Sequence, residues 1–311
     1  MTRPSHVTVA VIQAAPVLFD RTRTIEKACA LIAEAAAGGA RVIVFPEAFV
    51  PAYPRGLHFG APVGSRSAAG RALFARYWEE AVEVPSPAVD ALAAAARAAD
   101  AHVAIGIVER ETRGGRGTLY CSTLYLTASG DVAGVHRKLK PTAAERIIWG
   151  EGDGSTLTVM ESPYGRIGGL ICWEHYMPLA RMAMLEQGVD LWVAPTADAR
   201  ESWQATMVHV ACEGRCFVLS SNQYVTRDML PADLPDAEAL RTGPGILCRG
   251  GSVIVSPMGE VLAGPLYDRE GILTARLDLA QIVEGRFDLD VTGHYARPDV
   301  FQLHVERARR G

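Results

Sequence analysis

The sequence lacks several features that mark specialised classes of protein. Its six cysteines in 311 residues fall far short of the density of a disulfide scaffold, which excludes a small disulfide-stapled secreted domain. No window approaches the ~18 apolar residues of a membrane span, and the apolar run Val7–Ile12 is too short for a signal peptide. We therefore expect a cytoplasmic protein.

The chain also has little excess of charge of either sign. The net charge is −4, no long run of like charge occurs, and no basic surface patch is indicated beyond the short run Arg307–Arg310. Nucleic-acid and anionic-membrane partners usually require a basic patch, so we expect neither. What remains is an ordinary globular composition, 49% apolar and 21% charged, which can bury a sizeable core.

Apolar runs typical of strands alternate with helical periodicity along the chain, which predicts a layered α/β fold. No internal repeat or linker divides it, so one domain is expected over residues 1–311. Helices are predicted at about 25–36, 71–80, 88–99, 178–187 and 203–214, the second of them inside a long loop, 50–85. The predicted strands are Val7–Ile12, Arg41–Phe45, Val103–Val108, Leu119–Leu126, Val132–Lys138, Ile167–Ile171, Leu191–Ala194, Phe217–Ser220, Ser252–Val255 and Ile272–Arg276.

Cys172 stands where the predicted strand Ile167–Ile171 gives way to a turn and then a helix. This layout is typical of a nucleophile elbow, in which a sharp turn exposes the reactive side chain and the next backbone N–H groups face developing negative charge. Gly168 and Gly169 would allow a neighbouring element to approach closely. A free thiol has a pKa of ~8.5, so attack at neutral pH needs a stabilised thiolate. The alternative is a buried cysteine at a strand end.

Glu47 directly follows the apolar strand Arg41–Phe45, at the rim of the sheet where α/β sites form. Partial burial would raise its pKa and make it a usable base. The alternative is a solvated loop residue or a helix cap.

Lys138 and Lys140 lie in the basic segment 136–140. On a strand they share one face, whereas Arg137 points away. Either lysine could hold a thiolate or a developing oxyanion, and spacing alone does not choose between them. The alternative is an exposed basic turn.

Together, and in this order, the three segments resemble the nitrilase superfamily of carbon–nitrogen hydrolases. The resemblance assigns the family's Glu-Lys-Cys roles to Glu47, Lys138 and Cys172. It prefers Lys138 over Lys140, because the family's lysine directly follows the basic residue at 137. The motifs that carry it are Phe45-Pro46-Glu47, His136-Arg137-Lys138 and Gly169-Leu170-Ile171-Cys172-Trp173-Glu174.

Other segments resemble true nitrilases more than the amidase branches, and the resemblance covers about residues 6–301. Glu145 matches a second glutamate of the family's pocket, which would position the lysine or assist proton transfer; otherwise it is a surface residue paired with Arg146. The nitrilase-like segments include 141–154, 172–179, 196–198, 203–205, 213–217, 249–252 and 291–301.

The resemblance implies a four-layer α-β-β-α sandwich that forms a homodimer and often larger helical homo-oligomers. Only ten residues (311 minus 301) follow Phe301 as a short tail, 302–311. Many nitrilases carry a longer tail that supports spiral assembly, so the size of the oligomer is left open.

The implied reaction is hydrolysis of a small organic nitrile through a covalent intermediate on Cys172. It needs no metal and no organic cofactor. The pocket walls are expected from aromatic and histidine side chains that flank the catalytic segments, although each could equally be core or interface. These are Trp173, Tyr53, His58, Trp149, Tyr176 and His175, the last in a pocket or supporting role.

Four alternatives compete with this interpretation. An aliphatic amidase or carbamoyl hydrolase could use the same triad. A metal could bind His209, Cys212 and Cys216, which share a helical face but lack a close fourth ligand. A Cys–His pair could use Cys172 with His175 or His136. A scaffold without catalysis would require an intact but vestigial triad.

Overall fold

Two β-sheets form the centre of the chain. The structure is a computed structural model that describes residues 4–114, 117–235 and 237–309, so residues 310 and 311 of the predicted tail lie outside it. The first sheet has the order β13-β1-β2-β3-β4-β5. Its strands are β1 His6–Gln13, β2 Val42–Val44, β3 His102–Arg110, β4 Leu119–Leu126, β5 Val132–Arg137 and β13 Gly271–Asp278.

The second sheet has the order β10-β11-β9-β8-β7-β6, and β12 pairs with β11. The central strands of each sheet, β1-β2-β3 and β7-β8-β9, are parallel. The strands of this sheet are β6 Val159–Met160, β7 Ile167–Gly169, β8 Leu191–Pro195, β9 Phe217–Ser221, β10 Tyr224–Thr226, β11 Ile246–Val255 and β12 Val261–Tyr267.

Four of the α-helices cover the outer faces of the two sheets. The α-helices of the described residues are α1 Arg21–Ala37, α2 Ala68–Glu80, α3 Pro87–Ala99, α4 Pro178–Leu185, α5 Glu201–Gly214, α6 Glu238–Arg241 and α7 Ala280–Asp288. Helices α1 and α3 pack on the first sheet, and α4 and α5 pack on the second. Short 3₁₀ helices occupy Ala143–Ile147, Gly154–Thr156, Cys172–Tyr176 and Arg227–Met229.

Alternation along the strands builds the layers. On β1, Val9 and Val11 face the second sheet, whereas Ala10 and Ile12 face helices α1 and α3. Every one of these side chains is fully buried, and such burial stabilises the fold by ~1.5–3 kcal/mol for a Val, Leu or Ile. The resulting layer order is α-β-β-α, as predicted.

Most predicted elements are present. Leu119–Leu126 matches β4 at both ends, whereas β11 begins at Ile246, well before the predicted start at Ser252. The missed elements carry weak local signals. Strand β6 has two residues and β10 has three, while β12 is largely exposed and contains Gly264-Pro265. Helix α7 buries only Ile282 and Gly285, so its apolar face is faint. Among the described residues, no helix is long and apolar enough to cross a membrane.

Candidate active site

Glu47, Lys138 and Glu145 meet in one buried cluster, hereafter the carboxylate–lysine cluster. Lys138 Nζ lies 2.6 Å from Glu47 Oε1 and 2.8 Å from Glu145 Oε2. Glu47 and Lys138 are fully buried, and Glu145 is 9% exposed. One ammonium is therefore held between two carboxylates in a region that water hardly reaches.

Glu47 is positioned by the tight backbone that follows β2. Ala48 has a φ of +46°, which turns the chain sharply after the glutamate. Gly106 of β3 lets this turn approach, because a Cβ there would lie 2.1 Å from the carbonyl oxygen of Pro46. Gln223 donates from Nε2 to the Glu47 carbonyl at 2.8 Å, which ties the turn to the second sheet.

Lys138 follows β5 directly and is held by backbone bonds on both sides. Its N–H donates to the Cys121 carbonyl at 2.8 Å, and its carbonyl accepts from Gly152 N–H at 2.8 Å. Lys140, two residues on, is half exposed and pairs with Glu151 at the surface. The structure therefore places Lys138, and not Lys140, beside Glu47.

Glu145 lies in the 3₁₀ helix Ala143–Ile147, and three groups fix its carboxylate. Besides Lys138, Tyr53 donates from its hydroxyl to Oε1 at 2.7 Å, and Thr142 N–H donates to Oε2 at 2.6 Å. This residue is thus part of the buried cluster and not a surface partner of Arg146.

Cys172 begins a 3₁₀ helix three residues after β7 ends at Gly169, and α4 follows from Pro178. Its φ of +49° is strained for a residue with a side chain. Gly169 lets β7 lie against β8, because a Cβ there would be 1.9 Å from the Val193 carbonyl oxygen. The local structure is the strand, strained turn and helix of a nucleophile elbow.

His175 lies behind Cys172 and is fully buried. Trp192 donates from Nε1 to His175 Nε2 at 2.8 Å, so the other ring nitrogen, Nδ1, carries the proton and donates to the Cys172 carbonyl at 2.7 Å. Burial lowers the pKa of His175 to about 4, which keeps the ring neutral. His175 therefore holds the strained turn and does not face the pocket.

The Cys172 sulfur has a hydroxyl donor and a carboxylate near it. Thr196 Oγ1 lies 3.2 Å from Sγ and donates to it. The thiol interacts with the Glu47 carboxylate as well. On that carboxylate, Oε1 accepts from Lys138 and from the Cys121 thiol, which is 3.5 Å away. Oε2 has no hydrogen-bond partner among the described residues.

The electrostatics favour a neutral thiol beside a carboxylate that binds a proton easily. Burial, reinforced by the Glu47 charge, raises the pKa of Cys172. Burial also raises the pKa of Glu47; Lys138 opposes this shift and Glu145 adds to it. For Lys138, burial would lower the pKa, but the charges of Glu47, Cys172 and other neighbours raise it well above its ordinary value. Lys138 therefore stays charged beside the neutral thiol.

Glu174 braces the two halves of the site. Its Oε1 accepts from Leu139 N–H at 2.7 Å, and its Oε2 accepts from Ile171 N–H at 2.6 Å and lies 3.0 Å from His136 Nε2. These partners adjoin Lys138 on one side and Cys172 on the other. The sequence prediction gave no role to Glu174, Thr196 or Cys121, although 174 and 196 fall within the quoted motifs.

The expected pocket residues divide into three groups. Tyr53 and Trp149 lie at the cluster: their ring centroids are 5.7 Å apart, and Lys138 Nζ is 5.9 Å from the Trp149 ring centroid. Trp173 and Tyr176 are partly exposed and pack edge to face at 5.8 Å. His58 is exposed in its loop, where Nδ1 accepts from Gly60 N–H.

The geometry gives no support to the alternatives that use other side chains. His136 uses both ring nitrogens, for Glu174 and for the Thr156 carbonyl, and His175 is likewise fully engaged. His209 is 62% exposed and pairs with Glu213, whereas Cys216 is fully buried. Over the described ranges, no group of three or more His, Cys, Asp or Glu side chains is arranged to hold a metal ion.

Comparison with known proteins places this site in a family. The carbon-nitrogen hydrolase family matches residues 8–287. The chain is 53% identical to an aliphatic nitrilase of Sinorhizobium fredii, over 96% of this chain and 94% of that one. It is 50% identical to a nitrilase of Bradyrhizobium diazoefficiens, over 98% and 93%. It is 49% identical to a bifunctional nitrilase/nitrile hydratase of Lupinus angustifolius, over 96% and 86%.

The fold agrees with this placement. A carbon-nitrogen hydrolase from Helicobacter pylori superposes with a TM-score of 0.72 at 22% identity, covering 96% of this chain and 97% of that one. At that identity the likeness concerns the fold alone. The sequence matches extend further, and the chain belongs to the carbon–nitrogen hydrolase family, on its nitrilase branch.

Proposed function

We propose that this protein hydrolyses a small organic nitrile to the carboxylic acid and ammonia, with Cys172 as the nucleophile. The observation that carries the proposal is the buried thiol beside a glutamate whose second oxygen, Oε2, is unpartnered among the described residues. The names of the similar proteins, nitrilase and aliphatic nitrilase, support nitriles as the substrate class.

In the first step, Glu47 accepts the proton of Cys172 and the thiolate adds to the nitrile carbon. One C–N π bond breaks, and Glu47 passes the proton to the nitrogen as the covalent thioimidate forms, which leaves Glu47 ionised for the next step. Lys138 and the Trp173 backbone N–H, which follows the nucleophile directly, stabilise the charge on that nitrogen. The charge develops within a buried site, where such donors act more strongly than in water.

In the second step, Glu47 takes a proton from water as the water oxygen adds to the thioimidate carbon. The tetrahedral intermediate expels ammonia and leaves a thioester, which a second water hydrolyses to the acid and the free thiol. Expulsion of the thiolate in place of ammonia would release the amide. The bifunctional name of the Lupinus relative supports such a branch. Side chains and water carry every step of this scheme.

Glu145 is proposed to hold Lys138 in place through the 2.8 Å contact and to assist proton transfer. Tyr53 and Trp149 are proposed as the inner pocket wall, and Trp173 and Tyr176 as its rim. His58 is exposed and His175 is buried behind Cys172, so both are proposed to support loops around the site.

The test measures ammonia and acid release from aliphatic, aromatic and arylacetic nitriles and from the matching amides, beside Cys172→Ala. We expect nitrile turnover that disappears in the variant, and a thioimidate or thioester adduct on Cys172 by mass spectrometry. Turnover of amides alone would assign the protein to an amidase or carbamoyl hydrolase activity instead. Activity that survives in Cys172→Ala would refute the mechanism.

We also propose that the chain is a single domain that assembles as a homodimer, with a larger helical oligomer as an extension. Support comes from exposed apolar side chains around α4 and near the end of the chain, including Leu179 at 70% and Phe301 at 77% exposure. Sedimentation velocity of the protein and of Leu179→Asp tests this, since a monomer in both would contradict it. Six free cysteines agree with a reducing cytoplasm.

A further inference from the structure

A buried thiol that turns into a thiolate needs donors for its new charge, and the cation in this site is already shared. Lys138 is bound by both Glu47 and Glu145, at 2.6 and 2.8 Å. Its charge is therefore largely balanced before the sulfur loses its proton. A neutral donor that touches the sulfur directly would add stabilisation that the lysine alone does not supply.

Thr196 has the geometry of such a donor. It follows β8 directly, is fully buried, and places Oγ1 3.2 Å from Cys172 Sγ. The same oxygen accepts from the Asp198 N–H at 2.9 Å, so that bond leaves the hydroxyl proton unused. The hydroxyl proton is thus free to point at the sulfur.

The backbone around Thr196 is fixed from three directions. Asn222 donates from Nδ2 to the Asp198 carbonyl at 2.8 Å, and Trp173 donates from Nε1 to Asp198 Oδ2 at 2.8 Å. Arg55 donates to the carbonyl of Ala197, the residue that follows Thr196. The hydroxyl donor to Cys172 is thus held in place before the reaction starts, which is what charge stabilisation without reorganisation requires.

We propose that Thr196 is a catalytic residue, whose hydroxyl donates a hydrogen bond to Cys172 Sγ and stabilises the thiolate that attacks the substrate. This rests on the proposed function, because it takes Cys172 as the nucleophile. The proton of Cys172 goes to Glu47, and Thr196 keeps its own proton throughout. When the sulfur leaves at the end of the cycle, the same bond stabilises it as the departing thiolate.

The experiment compares Thr196→Val with Thr196→Ser, because valine keeps the shape and removes the hydroxyl while serine keeps the hydroxyl. The first readout is the rate constant for alkylation of Cys172 by iodoacetamide at neutral pH, with peptide mapping and Cys172→Ala as the blank. We expect about a 10- to 100-fold fall in Thr196→Val, the range for a hydrogen bond to a charged group. Thr196→Ser should stay close to the parent protein.

The second readout is the turnover of the best nitrile. The loss in Thr196→Val should appear in kcat and leave KM nearly unchanged, because the hydroxyl touches the sulfur and not the substrate. Thr196→Val also leaves the Asp198 N–H without its acceptor, but a loosened loop would expose the buried thiol and speed up alkylation. A slower reaction therefore reports lost thiolate stabilisation. If Thr196→Val does not fold, Thr196→Ala carries the same comparison.

The measurements distinguish failure of the Thr196 proposal from failure of the proposed nitrilase function. Equal alkylation rates and equal kcat in Thr196→Val and the parent protein would overturn the role of Thr196 while the nitrilase proposal stands. A parent protein that turns over nitriles without any need for Cys172 would overturn both. A slow Thr196→Val with a parent-like Thr196→Ser would support the role of the hydroxyl.

Discussion

Two buried charge clusters lie side by side in this protein, and they are built in opposite ways. In the carboxylate–lysine cluster, one cation faces two carboxylates, and Glu47 Oε2 accepts nothing from the described residues. In the pair of His136 and Glu174, hereafter the His–Glu brace, one histidine faces one carboxylate, and both carboxylate oxygens are used. The carboxylate–lysine cluster therefore has, among the described residues, an unpartnered carboxylate oxygen next to a thiol. In the His–Glu brace both carboxylate oxygens are hydrogen-bonded.

The two clusters share their chain segments, which explains how the brace serves the site. His136 and Lys138 are two residues apart at the end of β5, and Cys172 and Glu174 are two residues apart at the elbow. Arg137 between the first two points away and pairs with Glu109 and Glu111. The satisfied charges of the His–Glu brace therefore fix the backbone next to Lys138 and next to Cys172.

The largest effect is expected when the cation of the carboxylate–lysine cluster is removed. Lys138→Gln should lower kcat/KM for the best nitrile at least about 10³-fold, because the buried carboxylates and the developing charge lose the ammonium that pairs with both carboxylates. Steady-state kinetics measures this. Lys140→Gln is the matched control: that lysine is half exposed, so kcat/KM should change by no more than about twofold. More than about a tenth of the activity remaining in Lys138→Gln would contradict the role of the cluster.

Much of this comparison was predictable from the sequence, and the limits are physical. The sequence placed Glu47, Lys138 and Cys172 at the ends of apolar strands, and the family resemblance assigned them to one site. In the structure Glu47 and Lys138 meet, together with Glu145. Strand spacing excluded Arg137 but could not choose between Lys138 and Lys140, because burial distinguishes those two.

Contacts between residues far apart in the sequence could not be predicted from it. Glu174 accepts from Leu139, 35 positions away, and Thr196 approaches Cys172 across 24 positions. No local pattern encodes such contacts, because they depend on how β5, β7 and β8 are stacked. His175 was expected in a pocket or supporting role, and its contact with Trp192, 17 positions away, places it behind Cys172.

The next effect is on stability and tests the His–Glu brace. Glu174→Gln should lower the free energy of unfolding by ~3–5 kcal/mol, because it leaves His136 and a backbone N–H without their buried acceptor. Urea unfolding measures this, with Glu161→Gln as the control, since Glu161 is 74% exposed and pairs only with Arg166 among its described salt bridges. A loss of unfolding free energy below about 1 kcal/mol in Glu174→Gln would mean that the His–Glu brace stabilises the fold no more than a surface ion pair does. The contrast between the two clusters would then not hold.

The same pair predicts a pH window for this loss. Burial lowers the pKa of His136, but the Glu174 charge and its hydrogen bonds raise it, and the net pKa is raised. The contribution of His136 to stability is therefore lost as the pH rises through that raised pKa. Burial raises the pKa of Glu174, but the His136 charge and the hydrogen bonds lower it, and the net pKa is lowered. The contribution of Glu174 to stability is therefore lost as the pH falls through that lowered pKa. The difference between Glu174→Gln and the parent protein should be greatest between pH ~4.3 and ~6.5.

The smallest effect is a shift in a pH profile, and it asks whether the two carboxylates of the carboxylate–lysine cluster act as a unit. Burial raises the pKa of Glu47, and the like charge of Glu145 raises it further. Glu145→Gln removes that charge, so Glu47 should stay ionised to lower pH, and the acid limb of kcat/KM should move to lower pH. Glu145→Asp keeps the charge and should leave the limb in place. If Glu145 only held Lys138 in position, both variants would lower kcat without moving the acid limb of the pH profile. That outcome would mean that the Glu145 charge does not raise the pKa of Glu47.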